Sequence, residues 1–147
     1  MTEFIALLKV LAKALGIEWQ FLAAQVEQES SWDATAVGDN GTSFGLGQIK
    51  LATAQQFHPD WDATELRDPE MNLLCMYDCL LNLERWSWPH VGHDYRWALV
   101  AYNWGPGRVL AHWTAGKKYD DLPDVVRGYV TQIYERAARI EKEQGAL

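Results

Sequence analysis

Glu29 occupies a position where helical spacing predicts an apolar side chain. The apolar stripe that leads to it recurs every three or four residues and comprises Trp19, Leu22, Ala23 and Val26. A carboxyl group at the next position of this stripe is turned toward the core, where desolvation disfavours its charged form and raises its pKa. An acid that keeps its proton near neutral pH can protonate a poor leaving group. The position therefore suggests acid catalysis, against the commoner alternative of a solvated or ion-paired glutamate at a helix end.

A glycine-rich segment, residues 38–48, follows Glu29 and ends at Gln48. Glycine permits positive φ and lets the backbone approach a ligand closely, although it is also ordinary in loops. The Gln48 amide offers two donors and an acceptor to a polar ligand, or else satisfies the loop itself. Ser30, the residue after Glu29, either orients the carboxyl group or caps the helix end.

The composition fits one folded domain. The chain has 147 residues, of which 48% are hydrophobic and 22% charged, which is enough for a core and too apolar for disorder. We therefore predict a single domain over residues 1–147. The formal net charge of -7 argues against nucleic acid or an anionic membrane surface as the main partner. Eight Trp and six Tyr supply core side chains and rings suited to the apolar faces of sugars.

The cysteines and histidines do not form a recognisable metal site. Cys75 and Cys79 are close together in a predicted helix, where side-chain directions disfavour a disulfide, so we expect two buried thiols. No histidine shows ligand spacing with another ligand on a common helix face. We assign no metal and no cofactor.

The N-terminal residues lack the pattern of a cleaved leader. Lys9 and Lys13 interrupt the apolar stretch, no basic segment precedes it, and no small-residue cleavage site follows. The stretch is also too short and too charged to span a bilayer. We expect no membrane insertion, and delivery by another route to any site outside the cytoplasm.

Helices are the elements that must position these residues. The spacing predicts helices from a Thr2 cap to Gly16, over residues 18–29, 51–57, 68–86 and 94–103, and from about Pro123 onward. Residues 33–47 have loop-forming residue types, Trp88-Pro89 predicts a helix end, and Gly105-Pro106-Gly107 predicts a turn. No strand pair, repeat or linker is evident. The sequence predicts a mainly α fold with little or no β structure.

Four sequence blocks occur in a fixed order. They are Gln28-Glu29-Ser30-Ser31-Trp32, the segment 38–49 with its Gly45-Leu46-Gly47-Gln48-Ile49 end, Ala101-Tyr102-Asn103-Trp104-Gly105-Pro106-Gly107, and Arg127-Gly128-Tyr129-Val130. In these blocks the chain resembles the soluble lytic transglycosylase family, which is related to goose-type lysozyme, and the resemblance extends from about Gly16 to Tyr134. One block alone would be weak evidence, whereas four in order are strong. The resemblance implies a lysozyme-like single helical domain with a cleft.

The resemblance also implies an activity on peptidoglycan glycan strands. Glu29 would protonate the oxygen of the β-1,4 bond between N-acetylmuramic acid and N-acetylglucosamine. As a carboxylate it would then take a proton from the 6-hydroxyl group of the same muramic acid, which closes a 1,6-anhydro ring. No nucleophilic water and no second catalytic carboxylate would be needed.

Supporting residues are implied around Glu29. Tyr102 and Asn103 would line the cleft and the Tyr129 hydroxyl group would reach toward Glu29, whereas the sequence pattern alone suggests core packing for the tyrosines and capping for Asn103. Asn72 matches a family position that we interpret as structural. The other supporting or substrate-binding residues are Ser30, Asp39, Ser43, Gly45, Leu46, Gln48 and Trp104.

Two residues depart from the family pattern. Gly47 stands where the family usually has methionine, and Trp104 stands where it usually has a small residue. We expect both to face the cleft and to change its shape. Trp104 either adds a wall that stacks on a sugar or fills the space left by Gly47.

Asp39 leaves the reaction type open. The run from Gly38 to Gln48 resembles goose-type lysozyme closely, and there the matching aspartate helps to position a hydrolytic water. A second carboxylate across the cleft would permit direct hydrolysis. However, a further acid of goose-type enzymes corresponds to Lys50 here, and Gly-Asp-Asn-Gly is also an ordinary turn. We therefore favour non-hydrolytic cleavage over a hydrolytic muramidase that uses Glu29 with Asp39.

A non-catalytic peptidoglycan-binding module is the third hypothesis. If the protein is one of the two enzymes, its small size without a leader suggests a phage endolysin or a similar delivered enzyme. It would be made in the host cytoplasm, released by a holin or a virion, and active on the cell wall in the periplasm. We expect a monomer.

Overall fold

The structure is a computed structural model that describes residues 1–145, and most of these residues are helical. The helices are α1 (Ile5–Leu15), α2 (Trp19–Ser30), α3 (Leu51–Phe57), α4 (Ala63–Arg67), α5 (Pro69–Val91), α6 (Tyr95–Trp104), α7 (Pro106–Thr114) and α8 (Asp124–Gly145). The prediction of a mainly α fold is confirmed. No helix within residues 1–145 combines the length and the apolar character needed to cross a membrane.

The first two helices begin and end close to their predicted positions. Gly16 ends α1 in the left-handed conformation, with a φ of 74°, which a glycine adopts without steric cost. The Thr2 cap is wrong, because residues 2–4 form a 3-10 turn and neither this turn nor α1 has a side-chain cap. Glu18 precedes α2, which extends one residue beyond Glu29 to Ser30.

The predicted helix end at Trp88-Pro89 is wrong. Helix α5 continues through Pro89 and ends at Val91, where Gly92 donates its amide hydrogen to the carbonyl of Trp88. Because Pro89 lies in the last turn, its missing N–H removes only one bond from the end of the helix. The predicted start is confirmed, since Asp68 caps α5 by accepting from the Met71 amide and Pro69 occupies the first turn.

Two short helices were not predicted. Asp62 and Glu65 form a reciprocal capping box that starts α4, with the Glu65 carboxylate accepting from the Asp62 amide. Gly105, with a φ of 95°, separates α6 from α7, and Pro106 is the first residue of α7. The Gly105-Pro106-Gly107 turn is therefore a junction between two helices.

A small antiparallel sheet lies in and just after residues 33–47, which were predicted as a loop, so the prediction of no strand pair is wrong. Its strands are β1 (Val37–Gly38), β2 (Ser43–Phe44) and β3 (Ile49–Lys50), in the order β1-β2-β3. Strands of two residues are too short to show alternation in the sequence. Between β1 and β2, Asp39 and Asn40 have φ values of 49° and 56°, which aspartate and asparagine tolerate better than most residues.

The core joins both ends of the described chain. Helix α8 packs along α2, and α5 packs against α6 and α1. Fully buried side chains at its centre include Leu8, Val26, Leu46, Leu80, Leu99 and Ile133. Cys75 and Cys79 are buried free thiols, as predicted. This packing holds the end of α2 beside the sheet and beside α6.

Candidate active site

A cleft of about 710 Å³ opens where the end of α2 meets the sheet, α3, α5 and α6. Its walls contain several residues that the sequence singled out, namely Glu29, Asp39, Ser43, Gln48, Tyr102, Asn103 and Trp104. The fold therefore brings together parts of three of the four sequence blocks. The fourth block contributes Tyr129, which lies behind Glu29 on α8 and is buried.

Glu29 is a partly buried acid on the wall of this cleft. The pKa of Glu29 is raised from 4.5 to about 7. Burial raises it most, the hydrogen bond from Tyr129 lowers it, and the negative charge of Asp39 raises it further. Glu29 is therefore protonated in a large fraction of molecules at neutral pH. Such a group can donate a proton and, once ionised, accept one.

Tyr129 contacts the carboxyl group from the side of the core. Its hydroxyl group donates a hydrogen bond to Oε1 of Glu29 at 2.5 Å, across 100 residues of sequence. Burial, and then the charge of Glu29, hold the pKa of Tyr129 well above its usual value, so the hydroxyl keeps its hydrogen.

Gln25 completes a chain of hydrogen bonds to Glu29. Its Nε2 donates to the Tyr129 hydroxyl oxygen at 3.2 Å, and the side chain is fully buried. Gln25 was not predicted as a site residue. It lies four residues before Glu29 and thus on the same face of α2, so a polar residue beside this apolar stripe was the available signal.

Asn72 holds the glycine-rich segment against α5. Its Oδ1 accepts from the Gly47 amide at 2.7 Å, and its Nδ2 donates to the carbonyl groups of Phe44 and Leu66 at 2.9 and 2.7 Å. The side chain is fully buried. The structural interpretation of Asn72 is therefore confirmed.

Gln48 and Tyr102 also make bonds to this segment. Nε2 of Gln48 donates to the carbonyl groups of Ala36 and Gly45 at 3.1 and 3.0 Å. Tyr102 donates to the carbonyl of Gly47 at 2.6 Å. Both donors of Gln48 thus bond to the segment itself, and neither is left for a ligand.

Gly47 does not face the cleft as expected. It is buried, and a Cβ there would meet the Tyr102 hydroxyl, Oδ1 of Asn72 and Sδ of Met76 at 3.0 to 3.2 Å. Its surroundings are therefore filled by these side chains from α5 and α6. Trp104 does line the cleft, where its ring lies edge-on to His112 with centroids 5.8 Å apart.

Asp39 and Ser43 form a pair on the sheet side of the cleft. The Ser43 hydroxyl donates to Oδ2 of Asp39 at 2.5 Å. Asp39 is exposed, whereas Ser43 is 1% exposed. Asp39 thus retains a solvent-facing carboxylate that acts on Glu29 through its charge.

Besides Tyr129, three of the expected site residues lie off the cleft wall. Ser30 donates its hydroxyl hydrogen to the carbonyl of Val26 at 3.2 Å, so it does not orient Glu29 through a hydrogen bond. Gly45 and Leu46 are buried and shape the segment from behind. Lys50 and Arg108 line the cleft, and the sequence analysis did not propose either as a binding residue.

The described residues bring no metal-binding group together. Within residues 1–145, no three His, Cys, Asp or Glu side chains gather as metal ligands would.

Comparisons with known proteins agree with this arrangement. The model of the transglycosylase SLT domain matches residues 7–123. The membrane-bound lytic murein transglycosylase F of Maricaulis maris is 38% identical over 135 residues, which is 86% of this chain and 28% of that protein. The protein of the same name from Alteromonas mediterranea is 33% identical over 115 residues, which is 74% of this chain and 22% of that protein. The chain thus spans about a quarter of the length of these relatives.

Solved structures share the fold. The 70 kDa soluble lytic transglycosylase of Escherichia coli superposes with a TM-score of 0.73 at 23% identity, over 95% of this chain and 24% of that one. An inactive mutant of the lytic transglycosylase Slt from Pseudomonas aeruginosa superposes with a TM-score of 0.71 at 23% identity, over 96% of this chain and 24% of that one. Tyr129 lies beyond the residues that the family model matches, so its contact with Glu29 rests on the structure of this chain.

Proposed function

The chain belongs to the transglycosylase SLT domain family, and from this premise we propose that it cleaves peptidoglycan as a lytic transglycosylase. The bond cleaved is the β-1,4 bond between N-acetylmuramic acid and N-acetylglucosamine, and no water is consumed. One observation carries the proposal: Glu29 lies on the cleft wall with a pKa of about 7 and a hydrogen bond from Tyr129. Such a group can serve as acid and base in one reaction.

In the first step Glu29 acts as the acid. Its proton passes to the glycosidic oxygen, the bond from this oxygen to C1 of muramic acid breaks, and positive charge develops at C1. The Tyr129 hydrogen bond on Oε1 stabilises the carboxylate that this step leaves behind. Because Tyr129 holds Oε1, the proton to be transferred is on Oε2.

In the second step Glu29 acts as the base. The carboxylate takes the proton from the 6-hydroxyl group of the same muramic acid, and the oxygen forms a bond to C1. The product is a 1,6-anhydro ring, and Glu29 regains its proton for the next cycle. The same group serves both steps because the first leaves it in the form that the second needs.

The supporting residues act on the substrate or on the shape of the cleft. Asn103 and Gln48 lie on the wall, where acetamido and hydroxyl groups of the sugars can bind. The ring of Trp104 offers a surface for an apolar sugar face. Tyr102 and the buried Gly45 and Leu46 maintain the position of the segment. Ser43 orients Asp39, and the half-buried Ser30 bonds to the end of α2.

Product analysis tests the proposal. Purified peptidoglycan is digested with the parent protein, with Glu29→Gln and with Glu141→Gln, an exposed control on α8. We expect anhydro-muropeptides from the parent and the control, and a loss of at least about a hundredfold in rate for Glu29→Gln. Clearance of walls by Glu29→Gln at the parent rate would exclude catalysis by Glu29.

Hydrolysis is the second candidate, and Asp39 is the reason to keep it. This carboxylate lines the same cleft as Glu29 and raises the pKa of that residue, so it could also hold a water. A hydrolytic muramidase releases reducing ends, which are one water heavier than anhydro ends. Reducing ends as the main products, lost in Asp39→Asn, would favour this candidate.

We place the activity at the bacterial cell wall, where the proposed substrate is. One domain over residues 1–147 and a monomeric state are part of the proposal, and the core that α1 and α8 share supports the first. Light scattering of the purified protein tests the second. The proposed route of delivery is a holin or a virion. Lysis of expressing cells only when a holin is present would favour the holin.

A further inference from the structure

Three side chains form a short hydrogen-bonded chain that ends at the proposed acid. Gln25 donates through Nε2 to the Tyr129 hydroxyl oxygen at 3.2 Å, and Tyr129 donates to Oε1 of Glu29 at 2.5 Å. Gln25 is fully buried and is not part of the cleft wall. Any effect of Gln25 on the reaction therefore passes through Tyr129.

The direction of these two bonds matters because a phenol hydroxyl has one hydrogen. In the structure, Tyr129 donates that hydrogen to Oε1 of Glu29, and the Tyr129 oxygen accepts a hydrogen bond from the amide N–H of Gln25. If Gln25 were absent, a protonated Glu29 could donate to the free Tyr129 oxygen instead. Its proton would then face the core and not the cleft.

We propose that Gln25 is a positioning residue, which keeps Tyr129 a donor and so directs the acidic proton of Glu29 toward the substrate. This inference rests on the proposed function, because it assigns a role within the same acid step. A donor to the hydroxyl oxygen also polarises the O–H bond, which strengthens the bond from Tyr129 to the ionised Glu29. Gln25 therefore favours both orientation of the acid and stabilisation of its conjugate base.

Other polar groups near Gln25, Tyr129 and Glu29 bond to different partners or make no hydrogen bond to these three side chains. Asp39 accepts from Ser43, and Tyr102 donates to the Gly47 carbonyl. The Tyr95 hydroxyl has no hydrogen-bond partner within residues 1–145. In the described part of the chain, Tyr129 has side-chain hydrogen bonds to Gln25 and Glu29 only.

The Gln25 side chain is not optimised for stability. Its Oε1 is buried and has no hydrogen-bond partner among residues 1–145, which is unfavourable for folding. A purely structural role predicts that removal of the amide destabilises the protein. A positioning role predicts a loss of activity while the melting temperature is kept or rises.

Gln25→Met tests the inference, with Gln20→Met as the matched control. Methionine keeps the length of the side chain and removes both amide groups. Gln20 is also on α2 and also has a buried, unpartnered Oε1, but no hydrogen bond joins it to Tyr129. We expect about a tenfold lower kcat for Gln25→Met with little change in KM, and parent values for Gln20→Met.

The titration of Glu29 gives a readout that does not require activity. Carboxyl-carbon NMR of the parent and of Gln25→Met should show the pKa of Glu29 higher in the variant, by roughly half to one unit. The basic limb of the kcat profile should move in the same direction. Coincident titration curves in the two proteins would overturn the inference.

A double substitution separates this inference from the proposed function. In a Tyr129→Phe background no hydroxyl remains to be oriented, so Gln25→Met should have less than about a twofold further effect on kcat. An equal loss in both backgrounds would overturn the role of Gln25. If the parent has no Glu29-dependent activity at all, the proposed function fails, while the NMR titration still tests the hydrogen bond.

Discussion

The raised pKa of Glu29 has a consequence for stability as well as for catalysis. The unfolded chain releases the Glu29 proton near pH 4.5, whereas the folded protein holds it until about pH 7. Between these values the folded state binds more protons, so the contribution of Glu29 to stability falls as pH rises. Above about pH 7 the carboxylate is charged in both states, and the folded state bears the cost of its burial.

Glu29→Gln should therefore stabilise the protein at high pH. Glutamine resembles the protonated acid and bears no charge, so the free energy of unfolding of the variant does not fall as pH rises through the pKa of Glu29. We expect no stabilisation at pH 4 and a gain of roughly 2–3 kcal/mol in the free energy of unfolding at pH 8. Urea titrations at the two values measure it, with the exposed Glu141→Gln as control. A gain of equal size at both pH values would contradict the linkage.

Asp39→Asn should move the basic limb of the activity profile. The parent loses activity as pH rises through about 7, because the first step needs the protonated Glu29. Since the charge of Asp39 raises the pKa of Glu29, its removal lowers this pKa and shifts the limb to lower pH. Rates on purified peptidoglycan from about pH 4 to 9 measure the shift.

The exposed Asp60 lies outside the cleft, so Asp60→Asn should leave the limb in place. If Asp39→Asn abolishes activity at every pH, Asp39 has a direct part in the reaction. That outcome would contradict a purely electrostatic effect of Asp39.

At the residue level, helical spacing placed Glu29 on the core side of α2 but left a solvated glutamate as the commoner alternative, and the neighbouring sequence blocks favoured the acid. The contact from Tyr129 was implied only by the family resemblance, because a tyrosine on an apolar stripe is physically indistinguishable from a core residue. Gln25 was not identified at all. Its role depends on what α8 places opposite it, and spacing within α2 contains no information about that partner.

At the level of elements, the long helices were predictable and the short ones were not. Helices α5 and α8 have strong caps or long apolar stripes, whereas α4 has five residues and the strands have two each. The cap of α4 was readable at Asp62 and Glu65, but five residues do not complete a periodic pattern. Helix α7 begins directly after α6, so a proline and two glycines were interpreted as a turn.

The glycine-rich segment depends on one glycine for its packing against α4 and α5. Gly45 has a φ of 73°, and a Cβ there would overlap the carbonyl oxygen of Leu66 and the side-chain amide of Asn72. Gly41 has a φ of 89° but no atom within 4 Å of such a Cβ. An alanine at either position would therefore adopt an unfavourable left-handed backbone conformation, but only at Gly45 would its Cβ also overlap neighbouring atoms.

Gly45→Ala should destabilise the protein far more than Gly41→Ala. We expect about 1–2 kcal/mol for Gly41→Ala, from the left-handed conformation alone, and more than about 4 kcal/mol for Gly45→Ala. Guanidinium unfolding monitored by tryptophan fluorescence measures both. Equal losses would mean that the segment moves away from Leu66 and Asn72 at little cost.

At the level of the whole molecule, the site depends on helices from opposite ends of the chain. The α2–α8 contact holds Tyr129 against Glu29, and a polar network extends it, with Arg136 bonded to Gln28 and Glu27, and Arg139 bonded to Glu27. Exposed pairs of this kind contribute little to stability. The apolar core between the helices, with Ile133 fully buried, is therefore what fixes the geometry of the acid.

The net charge of -7 should make activity on an anionic wall dependent on salt. Like charges repel at long range, and salt screens this repulsion because the Debye length falls to about 8 Å at 0.15 M. We expect the apparent KM on purified walls to fall as salt rises from about 10 to 150 mM, with kcat unchanged, since Glu29 is shielded by burial.

The matched control is a variant with Glu3→Gln, Asp60→Asn and Glu141→Gln, all exposed and outside the cleft. Three fewer negative charges bring -7 to -4, so its salt dependence should be weaker. An apparent KM that rises with salt in the parent would instead show that the cleft cations Lys50 and Arg108 dominate the encounter.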